Sequence, residues 1–194
     1  MKPAILLALV MSLVTGQARA QYDDDSLRHV VWVSVTAGGG VAHLTCDTCR
    51  NASEGGMDLI FAMGGVRSAH IRYGVTLDMY EGQRSTFGSA TLSVSYYPWQ
   101  DRSLFLEGGF GGAFSCFRAY QGDGSANASG IALVGAVGTD IRLQPRVYFK
   151  PRIAMSYAAI GDVADNSVPS SASTRRPGWG QTVLSFGIGV QWEY

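Results

Sequence analysis

The chain ends Phe186-Gly187-Ile188-Gly189-Val190-Gln191-Trp192-Glu193-Tyr194, and this stretch decides how the rest is read. Phe186, Ile188, Val190, Trp192 and Tyr194 are apolar or aromatic. The residues between them are glycine or polar, and Leu184, Val183 and Ser185 extend the segment upstream. Side chains two apart in a strand share a face, so this is a strand with one apolar face and one small or polar face.

The same rhythm recurs towards the N-terminus. Leu133, Val137 and Ile141 alternate with Gly138, Asp140 and Arg142, and Val147, Phe149, Ile153, Met155 and Tyr157 with Tyr148, Lys150, Arg152 and Ser156. Earlier segments follow suit: Ile71 to Met79, Ala90 to Tyr96 and Leu104 to Phe110 in steps of two, with weaker strands over 30–41 and 57–66. No stretch carries a 3.6-residue apolar period or a helix-capping signal. Eight strands are expected. Short connections fall at 67–70, 98–103 and 144–146. Longer ones, rich in Gly, Ser, Asn and Asp, fall at 42–56, 81–87, 117–129 and 161–180.

Alternation alone does not separate a soluble barrel from a membrane one; the content of the two faces does. The polar face carries Arg72, Asp78, Glu107, Asp140, Arg142, Lys150, Arg152 and Glu193, four acids and four bases among many small residues. Such residues suit the narrow interior of an eight-stranded barrel, where charges must be paired. Charged residues make up only 15% of the chain and there are 25 glycines. A soluble domain has about a quarter charged residues. Tyr73, Tyr96, Trp99, Tyr157, Trp192 and Tyr194 lie near strand ends, where interfacial aromatic girdles form. In lipid, strands must close on themselves to satisfy the backbone. The expectation is therefore an all-β, eight-stranded, antiparallel up-and-down transmembrane barrel.

Residues 1–20 read as a secretory signal peptide: Lys2, then an apolar run shorter than the ~20 residues a spanning helix needs, then Ala18-Arg19-Ala20. Cleavage leaves a periplasmic lead-in over 21–29 and a barrel over 30–194, with 13 basic residues against 15 acidic. That balance argues against a nucleic-acid partner.

The pattern resembles the small eight-stranded outer-membrane barrels, the OmpA-transmembrane-domain and OmpX-like group. The specific part of the likeness is the C-terminal signature, here Gly189, Trp192 and Tyr194; Gly187 departs from it, standing where a polar residue is usual. The Tyr97-Pro98-Trp99 turn entry is also similar. The resemblance implies a place in the outer membrane, delivery by the barrel-assembly machinery, contact with lipid and lipopolysaccharide, and a monomer. It implies no single activity, because the group includes adhesins, anchors and lipid-modifying enzymes.

Candidate chemistry is sparse. Cys46-Asp47-Thr48-Cys49 reads as a tight disulfide, with Cys116 left free; a zinc site adding His43 and Cys116 is the alternative. An acyl hydrolase would need a nucleophile, base and orienter, and of His29, His43 and His70 only His43 lies towards the outer end, near Thr45, Asp47 and Ser53. The loop over 161–180, with Arg175 and Arg176, is a candidate for phosphate groups of lipopolysaccharide or for a surface ligand. The reading favoured is a structural or surface-interaction barrel without cofactor or enzymatic role. A lipid-modifying enzyme and a soluble periplasmic barrel for an apolar ligand are the alternatives.

Overall fold

The computed structural model describes residues 30–45, 52–99, 103–118, 125–165 and 176–194. The lead-in over 21–29, the signal segment, Cys46 and Cys49 lie outside them. The strands are β1 (Val31–Thr45), β2 (Ala52–Val66), β3 (Ile71–Gly82), β4 (Ser85–Tyr96), β5 (Leu104–Arg118), β6 (Ser125–Thr139), β7 (Ile141–Gln144), β8 (Val147–Asp165) and β9 (Arg176–Glu193). Each pairs antiparallel with its neighbour. β6 and β7 together form one stave, interrupted at Asp140, so the barrel has eight staves.

Closure is made by the first and last strands. β1 runs against β9 from Trp32 opposite Glu193 to Thr45 opposite Gly180. Tyr194 and Val31 exchange backbone hydrogen bonds at 2.8 and 3.3 Å, sealing the lower end of this seam. The two strands approach closely at Gly38 and Gly187, which lie opposite each other. A Cβ on Gly187 would sit 2.7 Å from the Thr36 methyl, and one on Gly38 would meet the Phe186 carbonyl oxygen at 2.1 Å. This crowding accounts for a glycine where the C-terminal signature usually has a polar residue.

The apolar face points outward. Leu92 is 73% exposed and Phe186 59%, whereas Arg72 and Lys150 are each 2% exposed. A soluble barrel has the opposite arrangement, so the soluble alternative fails: the wall is built for lipid. Tyr73, Tyr96, Trp99, Trp192 and Tyr194 are all outward or exposed at the end carrying both barrel termini, and Tyr157 faces outward further up β8.

The short connections fall where the sequence places them. At 67–70, the amides of Arg67 and Ser68 donate to the Ile71 carbonyl. The expected long loops are mostly strand instead. β1 continues to Thr45, β2 begins at Ala52, and β3 and β4 are joined by Gln83 and Arg84 alone. Membrane crossing takes about 9–11 strand residues; β8 has 19 and β9 has 18. The excess lies above the apolar belt, where the outward face is polar while the inward face packs Ala42, Tyr80, Phe87 and Val183. Alternation fades there, and polar and small residues imitate loop composition.

Glycines make room for the interior aromatics. Trp32 lies against Gly74, where a Cβ would be 2.9 Å from its ring and 2.2 Å from the Met63 carbonyl oxygen. Phe105 packs likewise on Gly138. On the lipid side, Gly108 and Gly135 are opposite each other with nothing within 4 Å of either added Cβ. Gly74→Ala should therefore lower stability by about 1–3 kcal/mol through overpacking, while Gly135→Ala should stay within about 0.5 kcal/mol. Urea unfolding in detergent micelles, followed by tryptophan fluorescence, measures the difference.

Candidate functional site: a filled lumen and a polar collar

Inward side chains fill the barrel in layers. At the periplasmic end Arg72 donates through Nη1 to Asp140 Oδ2 at 3.1 Å and through Nη2 to Glu193 Oε1 at 2.6 Å. Tyr97 OH donates to the same Asp140 oxygen at 2.8 Å, and Tyr148 OH to Glu193 Oε2 at 3.3 Å. The Arg72 guanidinium also lies 4.7 Å from the Tyr97 ring centre. One cation is thus held by two carboxylates from different strands, β9 and the break between β6 and β7.

Above it, Lys150 Nζ sits 4.4 Å from the Phe105 ring centre and 5.5 Å from that of Trp32, and donates to Gln191 Oε1 at 3.1 Å. Arg152 pairs with Glu107 at 3.3 Å, and Ser95 donates to the other Glu107 oxygen. Next come Asp58 and Asp78, with Ser156 Oγ donating to Asp78 Oδ2 at 2.6 Å. At the outer end an apolar cluster of Ala42, Tyr80, Phe87, Ala113, Ala132, Ala158, Ile160 and Val183 closes the section. Ser115, Gln181, Ser85 and Glu54 form a hydrogen-bonded chain beside it.

Of the eight charges expected in the lumen, Arg72, Asp78, Glu107, Asp140, Lys150, Arg152 and Glu193 are buried there. Arg142 is not. β6 pairs with β5 only as far as Thr139, so β7 continues with β8 as its sole neighbour and has no lumen to face. All four β7 residues are exposed, and Arg142 Nε donates to the nearby Gln144 carbonyl. Asp58 is the inward charge that sequence reasoning missed. It is 4% exposed in a strand where Ile60 shares its face, which blurs the polar signal. The described buried charges are therefore five acids and three bases.

Buried to this degree, the charges are out of reach of water passing along the axis. A conducting path would expose them. The interior reads as salt-bridged filling, not as a selectivity device.

Two polar runs, together a partial collar, lie on the outer wall just above the apolar belt. Thr182, His43 and Ser53 are successive cross-strand neighbours, and Glu81, Thr86, Cys116 and Asn127 form a second run. His43 Nδ1 and Ser53 Oγ are 2.8 Å apart, and Thr86 Oγ1 donates to Glu81 Oε2 at 2.7 Å. Cys116 is a free, half-buried thiol in this collar. Cys46 and Cys49, expected to form a disulfide and needed by the alternative zinc site, lie outside the described residues, and among the described residues no three His, Cys, Asp or Glu side chains converge. His70 belongs to the opposite end, with Nδ1 2.8 Å from the Tyr97 carbonyl oxygen.

With the belt, the closed ladder and the filled lumen together, the molecule is a transmembrane β-barrel of the small eight-stranded outer-membrane class, and such barrels reside in outer membranes. No protein-family model matches the chain, and no curated protein does. Among solved structures it is similar to Neisserial surface protein A, at 15% identity over 84% of this chain and 97% of that one, with a TM-score of 0.54. It is also similar to the outer membrane protein AlkL in lipid bilayers, at 13% identity over 93% and 96%, with a TM-score of 0.54. The N-terminal β-barrel domain of Pseudomonas aeruginosa OprF matches at 9% identity over 84% and 97%, with a TM-score of 0.50. At such identities the likeness speaks for the fold alone.

Arg72→Met leaves Asp140 and Glu193 buried without their cation and should cost about 3–5 kcal/mol. Arg142→Met, on the exposed edge, should change stability by less than about 0.5 kcal/mol. Equilibrium urea unfolding of both variants in the same micelles checks the contrast.

Proposed function

We propose that the barrel is a structural and surface-presenting protein of the outer membrane, one that holds a raised, rigid rim above the lipid and moves no solute. The observation that carries this reading is the combination of a filled lumen with strands running well past the membrane. Every inward charge that a pore would expose is buried, while β8 and β9 carry their ladder far beyond the length needed to cross. A protein built for permeation has no use for paired ions across its axis, whereas a pedestal does. The polar collar at the upper edge of the belt suits contact with lipid and lipopolysaccharide head groups. Purified protein in planar bilayers should give no steady conductance, and cells lacking it should take up small hydrophilic solutes at unchanged rates. Loss of the protein should instead alter detergent sensitivity or surface adhesion. Steady single-channel currents would overturn the proposal.

A second reading rests on one contact, the His43–Ser53 pair on the outer wall. A hydroxyl hydrogen-bonded to an imidazole at head-group depth is the starting arrangement for acyl transfer from a membrane lipid. Neither an orienting carboxylate nor an oxyanion-binding group joins it among the described residues, so this reading ranks second. Comparison of lipid A acyl chains from cells expressing the wild type, His43→Ala or Ser53→Ala decides it: the second reading requires an acyl change that both substitutions abolish.

A further inference from the structure

The charges of the lower lumen cancel. Arg72, Lys150 and Arg152 stand with Glu107, Asp140 and Glu193, three bases with three acids, within two ion-paired groups and a lysine lodged between aromatic rings. The two remaining acids are Asp58 and Asp78, one layer higher. Asp58 lies opposite Tyr80 and Asp78 opposite Ile60 across β2 and β3, so the two carboxylates are diagonal neighbours on the lumen face. They are 4% and 3% exposed, and among the described residues neither is in an ion pair. Arg152 is the base whose charge reaches Asp78, and it is already bound to Glu107.

The oxygens in this layer are under-used. Asp58 Oδ1 and Asp78 Oδ1 are buried without a hydrogen-bond partner. So is Ser89 Oγ, which belongs to the residue directly opposite Asp78 on β4 and is itself 4% exposed. Three buried oxygens without a hydrogen-bond donor, from three adjacent strands, therefore belong to one layer of the lumen, together with two neighbouring carboxyl groups that have no basic partner of their own. Like charges this close are strongly unfavourable in a low-dielectric interior. A single shared proton would bridge the two carboxyls but would still leave one negative charge without a cation and Ser89 Oγ without a partner.

We propose that Asp58, Asp78 and Ser89 bind one hard divalent cation of the calcium class inside the barrel. An all-oxygen donor set with two carboxylates matches what such ions take, and calcium tolerates irregular geometry completed by water better than magnesium does. The ion would neutralise the layer and tie β2, β3 and β4 together. The outer apolar cluster, which contains Tyr80 and Phe87, covers the site from above, so loading accompanies folding.

The test uses protein refolded from urea into lipopolysaccharide-free detergent micelles, with either calcium chloride or a chelator present throughout. After gel filtration, elemental analysis of the folded, heat-shiftable form should find about one calcium per barrel. The temperature at which the compact gel band is lost should be about 5 °C or more higher in calcium. Asp78→Asn and Asp58→Asn, which keep side-chain volume, should abolish both the bound calcium and the difference, and Ser89→Ala should reduce calcium retention. Parallel refolding in magnesium or sodium should give a smaller shift. The proposal fails if wild-type barrels retain less than about a tenth of an equivalent of calcium, or if Asp78→Asn retains as much as wild type. It also fails if the calcium and chelator transitions coincide, the result expected of two carboxyls sharing a proton. The wild-type measurement decides the matter even if a variant does not fold.

Discussion

A backbone amide left unpaired in hydrocarbon costs several kcal/mol, and the whole molecule is arranged around avoiding that. The β1–β9 seam is where the constraint is met last and matters most. Without it, two strand edges of some fourteen residues each would go unpaired, most of them in lipid. The requirement explains why Gly38 and Gly187 are opposed and why the C-terminal residue hydrogen-bonds to the first residue of β1. Closure here takes eight staves, and at that number the interior is narrow enough for side chains to fill.

Filling brings its own demands. Bulky rings such as Trp32 and Phe105 fit only because Gly74 and Gly138 give way beneath them. Ions fit only in compensated groups, so Arg72 is surrounded by two carboxylates and two tyrosines drawn from distant parts of the chain. The wall and the lumen are thus one design. A register slip of one residue in any stave would place charges in lipid and apolar side chains among ions, so the interior contacts also guard the pairing of the strands.

Much of this was legible in the sequence, for a physical reason. The membrane imposes a strict two-residue rhythm, so position alone points Trp192 and Tyr194 toward lipid and Gln191 and Glu193 toward the lumen. Three things were not legible. The partners of Arg72 depend on register summed around the barrel, which no local pattern carries. Arg142 keeps the rhythm but belongs to a strand that has run past the end of the enclosure. The upper wall, including the His43–Ser53 contact, loses the apolar-out rhythm because its outward face turns polar while its inward face turns apolar, and its Gly, Ser and Asn residues look like loop. Asp58 was hidden for a related reason: the lumen face of β2 mixes an aspartate with isoleucine and alanine, as an interior with an apolar upper section permits.

The pairing of residue 32 with residue 193 has a consequence for how the molecule comes to exist. No subset of the chain is a stable intermediate in the way a helical hairpin is, because an unclosed sheet has nowhere in a bilayer to put its edges. The closing contact joins the first strand to the last across the whole barrel, so it belongs to the slow, non-local class of folding events. β9 must therefore be available before the structure can begin to be kept. Until that seam forms the alternating segments are exposed, sticky and in need of an escort.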